Sequence, residues 1–222
     1  MPEKMFKGTG VAMVTPFKED KSIDYDSLEK LVNHLIGNGV NYLVALGTTG
    51  ETPALSSEEK FEIVEFIKKI NNKRVPLVVG MGGNNTSMLT GALRHVDTSG
   101  IDAILSVAPY YNKPTQAGLY EHFKAVAEAS KVPVIMYNVP GRTGSNIAAS
   151  TCTALANDYQ GKIVAVKEAS GNFTQIMDIL NNKPSGFMVI SGDDAITLPM
   201  ISLGGSGVIS VIGNAYPKEF SE

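Results

Sequence analysis

The chain has 222 residues, enough for one large domain or two small ones, and 43% of its residues are hydrophobic. Its 19 basic and 22 acidic residues give a net charge of −3, so no broad field favours nucleic acid or an anionic membrane. The N-terminal residues lack a long apolar segment, and no run of 18 apolar residues follows. We therefore expect a cytoplasmic protein without membrane or nucleic-acid partners.

The cysteine and histidine content argues against a disulfide or a metal site. Cys152 is the only cysteine, so we expect it to be a small core residue. His34, His95 and His122 lie far apart, each in an amphipathic helical stretch, and none has a second histidine at a metal-ligand spacing. We predict no metal and no cofactor.

Short apolar runs alternate with helical patterns along almost the whole chain. The first helical pattern places Leu28, Leu31 and Leu35 on one face, and the second opens with a capping box between Ser56 and Glu59. Strands separated by single helices imply right-handed crossovers and a parallel sheet. Eight runs favour a (β/α)8 TIM barrel over an open sheet: 10–16, 42–46, 76–80, 103–108, 133–137, 163–166, 187–191 and 207–212.

We expect residues 1–222 to form a single (β/α)8 barrel domain that is incomplete at its C-terminus. A barrel of this class typically needs about 250 residues, and Pro217 is predicted to begin the eighth helix. If Ile209 and Val211 point into the barrel, Val208 and Ile212 point outward. We predict that these outward side chains lack a covering helix.

One lysine follows the sixth apolar run. Strand alternation is predicted to place Lys167 on the same face as Ile163 and Ala165, both apolar. Burial lowers the pKa of a lysine and leaves some neutral amine at pH 7, which can attack a ketone to form a Schiff base. The alternative is a lysine whose side chain reaches past the strand end into water.

The second run is followed by a turn that contains two glycines, Gly47-Thr-Thr-Gly-Glu51. Its backbone N–H groups can converge on a carboxylate, with the hydroxyls of Thr48 and Thr49 beside them. A tight turn with solvated threonines is the alternative. Neither a P-loop nor a complete dinucleotide fingerprint occurs, which disfavours nucleotides.

Two further loops carry candidate site residues. Tyr137 ends the fifth run, where a tyrosine near a lysine amine can move protons. Arg142 follows in a Pro-Gly turn and can bind a second carboxylate. Tyr110 and Tyr111 follow the fourth run. Taken singly, a structural tyrosine and a solvated arginine are the commoner roles.

Five motifs occur in order at the predicted strand ends: Gly47-Thr-Thr-Gly-Glu51, Pro109-Tyr-Tyr-Asn-Lys-Pro-Thr-Gln116, Tyr137-Asn-Val-Pro-Gly-Arg-Thr-Gly144, Val166-Lys-Glu-Ala169 and Ser191-Gly-Asp-Asp194. Together they resemble the class I, pyruvate-dependent lyase family, which includes N-acetylneuraminate lyase. The resemblance extends from Gly8 to the last residue. It implies a TIM barrel and further C-terminal helices beyond the 222 residues.

The resemblance also implies a role for each site residue. Lys167 would form an imine with pyruvate, and Tyr137 would move protons. Thr48 and Tyr111 would complete the proton relay, with Tyr111 supplied by a neighbouring subunit. The implied substrate-binding residues are Thr49, Ile209, Arg142 and Gly192.

The implied reaction is the condensation of pyruvate with aspartate 4-semialdehyde in diaminopimelate and lysine biosynthesis, by a homo-oligomer built as a dimer of dimers. A sister lyase acting on N-acetylneuraminate or a 2-keto-3-deoxy-sugar acid is the first alternative, and Thr48 and Arg142 argue against it. A phosphate-binding isomerase is disfavoured because Asp193 and Asp194 would repel a phosphate. A barrel that binds a keto acid without turnover is a further alternative.

Overall fold

The computed structural model describes residues 5–222, in which parallel strands close into a barrel in sequence order. The predicted (β/α)8 architecture is confirmed. Each strand hydrogen-bonds to the next, and the last pairs with the first through Ile209 and Gly10. The strands are β1 Gly8–Ala12, β2 Tyr42–Ala45, β3 Leu77–Gly80, β4 Ala103–Val107, β5 Val134–Asn138, β6 Ile163–Glu168, β7 Met188–Ser191 and β8 Gly207–Ser210.

Helices connect successive strands around the outside of the barrel. The capping box predicted for the second helix is confirmed: Ser56 Oγ accepts from the N–H of Glu59 at 3.1 Å, and the Glu59 carboxylate accepts from the N–H of Ser56 at 2.8 Å. No helix within residues 5–222 is long and apolar enough to cross a membrane. The helices are α1 Tyr25–Gly37, α2 Ser57–Asn71, α3 Thr86–His95, α4 Gln116–Ala129, α5 Pro140–Thr143, α6 Ala149–Asp158, α7 Phe173–Asn182, α8 Thr197–Ser202 and α9 Pro217–Ser221.

Side chains from all eight strands fill the barrel interior, and two larger apolar layers pack between strands and helices. Cys152 is fully buried in the outer layer, as predicted. Gly10 has no room for a side chain, because a Cβ there would overlap the Tyr42 ring. The interior layer includes one residue from each strand in turn: Ala12, Val44, Val78, Leu105, Ile135, Ala165, Ile190 and Ile209.

The predictions for strand eight are confirmed in part. Ile209 belongs to the barrel interior and Ile212 is exposed, as expected. The prediction that Val208 lacks cover is wrong, because it is only 2% exposed and α8 packs against β8. Val211 does not point into the barrel either. It follows the end of β8 at Ser210, so strand alternation no longer governs its side chain, and it is half-exposed.

Strand β6 departs from simple alternation. Val134 of β5 pairs with Ile163, whereas the next residue, Ile135, pairs with Ala165, so Val164 is an extra residue in the ladder. Val164 and Ala165 both belong to the barrel interior, while Ile163 packs in the outer layer. The prediction that Ile163 shares a face with Lys167 is therefore wrong, because a bulge shifts the alternation by one residue.

A histidine is buried between two helices on the outside of the barrel. His122 of α4 is 3% exposed, and its Nδ1 lies 2.8 Å from Thr86 Oγ1 of α3. Its Nε2 has no hydrogen-bond partner among the described residues. Burial lowers the pKa of His122 to about 4, because the charged imidazolium would lose its hydration.

We expect the fold to lose stability between pH 6.5 and about 4 because of His122. Its pKa is lower in the folded chain than in the unfolded chain, so the unfolded chain binds more protons in this window. The free energy of unfolding should fall by about 3 kcal/mol as the pH drops through it. Urea unfolding of His122→Asn at several pH values should show a shallower slope than wild type. The exposed His95 supplies the control variant, His95→Asn. If the free energy of unfolding depended equally on pH in wild type and His122→Asn, the prediction would be contradicted.

Candidate active site

Lys167 and Tyr137 lie side by side within the barrel, near the carboxyl ends of β6 and β5. They are register partners in the two strands, and both side chains are almost fully buried. Lys167 Nζ lies over the Tyr137 ring, 4.4 Å from its centroid. An ammonium in this position is stabilised by the ring face but has lost most of its water.

The environment of Lys167 favours a neutral amine. Burial lowers its pKa from 10.5 to about 8; the Asp194 carboxylate opposes this shift, and the Arg142 guanidinium adds to it. At pH 7 about one amine in ten is then unprotonated, against about one in three thousand for an ordinary lysine. The amine is therefore a nucleophile near neutral pH.

The Tyr137 phenol is held in its protonated form. Burial raises its pKa, while hydrogen bonding with the Thr48 side chain and the charge of Arg142 partly oppose the rise. Thr48, Tyr137, Lys167 and Arg142 therefore lie within electrostatic reach of one another. A protonated phenol beside a neutral amine can donate a proton to an oxygen that leaves during imine formation.

The turn after β2 presents unpaired backbone donors. Thr48–Gly50 form a 3-10 turn that begins at Gly47. Two hydroxyls from outside the turn hold it, since Thr15 Oγ1 donates to the Gly50 carbonyl at 2.8 Å and Thr52 Oγ1 donates to the Gly47 carbonyl at 3.0 Å. The N–H groups of Thr48 and Thr49 have no acceptor within residues 5–222. Such a pair of adjacent donors can bind a carboxylate.

Gly192 lies against the side chain of Lys167. A Cβ at this position would lie 3.1 Å from both Cγ and Cε of Lys167 and 2.7 Å from the Cβ of Ala169. Its N–H donates to the Glu168 carbonyl at 2.8 Å. A larger residue would push the lysine side chain out of place, so glycine keeps the space around the amine open.

Two predicted site residues are exposed. Arg142 lies on the short helix α5 and acts on Lys167 and Tyr137 through its charge. Tyr111 is 88% exposed, and its side chain makes no hydrogen bond with any residue in the described part of the chain. Its backbone is left-handed, with φ +75°, which is unusual for a bulky residue. Such strained backbone is found most often at functional sites.

Comparison with known proteins identifies the family. The model of the dihydrodipicolinate synthetase family matches residues 5–222. The chain belongs to this family. The 4-hydroxy-tetrahydrodipicolinate synthases of Flavobacterium psychrophilum and Parabacteroides distasonis are 57% and 54% identical to it. These matches cover 98% and 100% of the chain and 74% of each relative.

A solved structure agrees with this assignment to the dihydrodipicolinate synthetase family. The chloride-inhibited dihydrodipicolinate synthase from Acinetobacter baumannii, complexed with pyruvate, is 43% identical, with a TM-score of 0.92. The match covers 97% of this chain and 73% of that one. The predicted family and barrel fold are therefore confirmed.

Sequence reasoning did not assign three polar residues to this site: Asp194, which it used only as an argument against phosphate binding, Asn138 and Glu168. Asp194 raises the pKa of Lys167, and its carboxylate accepts from the N–H of Ile212 at 2.8 Å and of Val211 at 3.0 Å, which ties the loop after β7 to the loop after β8. Asn138 and Glu168 are fully buried next to Tyr137 and Lys167. Their place directly after the two reactive residues in the motifs is the signal that could have identified them.

Proposed function

We propose that the chain is a Schiff-base-forming lyase that condenses pyruvate with L-aspartate 4-semialdehyde to 4-hydroxy-tetrahydrodipicolinate, in lysine biosynthesis. The observation that carries this proposal is the buried amine of Lys167, with its pKa lowered to about 8, against the phenol of Tyr137. The family match and the relatives that bear this name support it.

The first stage is imine formation. The pyruvate carboxylate binds the free N–H groups of Thr48 and Thr49, and Ile209 and Gly192 line the space around the keto group. The neutral amine of Lys167 attacks C2 of pyruvate. Tyr137, in a relay with Thr48, donates a proton to the former keto oxygen, which leaves as water while the C=N bond forms.

The second stage is carbon–carbon bond formation. The protonated imine withdraws electrons, so C3 of pyruvate loses a proton and becomes an enamine carbon without a metal. Arg142 binds the carboxylate of aspartate semialdehyde and holds its aldehyde carbon near C3. C3 attacks the aldehyde carbon, whose oxygen takes up a proton. The substrate amine then attacks C2 and forms the ring, which releases the Lys167 amine.

Tyr111 is proposed to act in a second copy of the chain. Its exposed side chain and left-handed backbone suit a residue that projects across a subunit contact into a neighbouring site. A homodimer would then be the smallest unit with a complete proton relay, and the dimer of dimers expected from the sequence contains two such units.

Trapping with sodium borohydride tests the imine. Incubation with pyruvate and borohydride should add the mass of a reduced pyruvate adduct to Lys167, as located by peptide mass spectrometry. A second sample, without borohydride, should consume aspartate semialdehyde when both substrates are added. An adduct confined to another lysine, or none in a folded sample, would refute the mechanism.

The same preparation separates the proposed reaction from its alternatives. Trapping together with cleavage of N-acetylneuraminate, but without turnover of aspartate semialdehyde, would identify a sister lyase. Binding of pyruvate without turnover of any aldehyde would identify a keto-acid-binding barrel.

A further inference from the structure

A second pair of polar residues lies directly behind the reactive pair. Asn138 and Glu168 are register partners, one step after the partners Tyr137 and Lys167. Because side chains alternate, Tyr137 and Lys167 face into the barrel, and the next pair faces the surrounding helices. Asn138 Nδ2 donates to Glu168 Oε2 at 2.9 Å, so a side-chain hydrogen bond joins β5 to β6 behind the reactive groups.

The Glu168 carboxylate is the centre of a closed network. Its Oε1 accepts from the N–H of Ser170 at 2.7 Å, and its Oε2 also accepts from Gln175 Nε2 at 3.3 Å. Asn138 Nδ2 bonds in addition to Asn146 Oδ1 at 2.9 Å. Asn146 and Gln175 bond to each other, with Asn146 Nδ2 donating to Gln175 Oε1 at 2.8 Å. The network thereby connects β5, β6, α7 and the segment before α6.

All donors to Glu168 in this network are neutral. No lysine or arginine forms an ion pair with it within residues 5–222. Neutral donors stabilise a buried carboxylate less than a cationic partner does. The site therefore keeps this group at a cost in stability. The pKa of Lys167 is set by its burial, Asp194 and Arg142. The Glu168 side chain faces the helices while Lys167 faces the barrel interior, so an effect on the amine has to pass through the backbone of β6.

We propose that Glu168 and Asn138 are positioning residues, which fix the Lys167 amine against the Tyr137 phenol through the bond between their strands. This inference rests on the proposed function. The amine must reach C2 of pyruvate while the phenol reaches the oxygen bonded to that carbon. A misplacement of about 1 Å at such a site can lower the rate about a hundredfold.

The first test is Glu168→Gln. Ser170 donates to Oε1, whereas Asn138 and Gln175 donate to Oε2, so an amide N–H group at either position meets a donor and at least one bond is lost. We expect kcat to fall about 10- to 100-fold. The KM for pyruvate should stay within threefold, because the N–H groups of the turn after β2 are untouched. The acidic limb of the pH profile of kcat/KM should keep its midpoint, because Glu168 lies on the opposite face of β6 from the Lys167 amine.

The second test reverses the polarity of the bond. In Glu168→Gln combined with Asn138→Asp, the amide at position 168 donates to the carboxylate at position 138. We expect the kcat of this double variant to be at least tenfold higher than that of Glu168→Gln alone. The milder variant Gln175→Met removes one donor at the partly exposed edge of the network and should lower kcat about threefold to tenfold. It keeps the proposal testable if Glu168→Gln does not fold.

Asn71 supplies a matched control at the opposite end of the barrel. It is a buried amide at the end of α2, and its side chain exchanges two hydrogen bonds with the backbone of Val75, before β3. Asn71→Ala should lower the thermal midpoint while leaving kcat unchanged. If kcat fell in proportion to the thermal midpoint across all variants, including Asn71→Ala, the role of Glu168 would be structural only.

Failure of the positioning role and failure of the proposed function give different results. If wild type shows neither trapping nor turnover, the proposed function fails. If wild type is active, a kcat within twofold of wild type in folded Glu168→Gln overturns the positioning role. A kcat within twofold in Gln175→Met overturns it where only that variant folds. Failure of the folded double variant to recover activity overturns the role of the cross-strand bond.

Discussion

Replacing Lys167 with methionine lowers kcat by at least about three orders of magnitude, because no other group can form the imine. Methionine has a similar volume and no amine, so it removes the chemistry with little change in packing. A coupled assay with both substrates should measure the loss, and borohydride should trap no pyruvate on the variant. The exposed Lys162, in the turn just before β6, provides the control Lys162→Met. Turnover by Lys167→Met within tenfold of wild type would contradict an imine at this position.

The same variant should be more stable than wild type at pH 7. The pKa of Lys167 is lower in the folded chain, so the unfolded chain binds more protons between pH 8 and 10.5, and wild type gains stability as pH rises through that window. Below it, the buried ammonium destabilises the fold by about 3 kcal/mol. Urea unfolding should show this difference at pH 7, and the difference should shrink above pH 10.5.

Replacing Tyr137 with phenylalanine lowers kcat by about two to three orders of magnitude, within the range typical for loss of a general acid. The ring keeps its contact with Lys167 Nζ, whereas the hydroxyl that protonates the leaving oxygen is gone. The KM for pyruvate should change little, because the phenol is not part of the turn that binds its carboxylate. Steady-state kinetics with pyruvate varied at fixed aldehyde would measure both parameters.

Tyr120 provides the matched control for this variant. It lies on α4, outside the barrel, where its hydroxyl donates to Asp158 at 2.6 Å. Tyr120→Phe also removes a hydrogen-bonded phenol and should leave kcat unchanged. A kcat for Tyr137→Phe within threefold of wild type would show that another group moves the proton.

The barrel was predictable because apolar runs alternate regularly with helical patterns along the sequence. Eight short apolar runs separated by single helices leave few topologies open, and all eight runs overlap observed strands, although the first, 10–16, shares only residues 10–12 with β1. The strand ends were less predictable. The run at 207–212 continues past the observed end of β8 at Ser210, since apolar residues alone do not mark where hydrogen-bonded pairing stops.

The reactive pair was predictable from its local sequence, whereas the residues that act on it were not. Lys167 and Tyr137 each end an apolar run, so their burial follows from strand position. Asp194 influences Lys167 through contacts that depend on how the loops after β7 and β8 fold together. The only signal for Glu168 was its place directly after Lys167, and its burial was not predictable because a charged residue at a strand end is normally solvated.

The bulge in β6 decides which of two adjacent charges enters the barrel. Alternation without a break from Ile163, which packs outward, would turn Lys167 toward the helices and Glu168 inward. The unpaired Val164 shifts the phase, so the amine faces Tyr137 and the carboxylate faces Asn138. Deleting Val164 would restore one-to-one pairing and keep Lys167 opposite Tyr137, whereas regular pairing with Val164 retained would exchange the nucleophile for an acid at the same point in space. The pairing register of β6 is therefore as much a determinant of reactivity as side-chain identity.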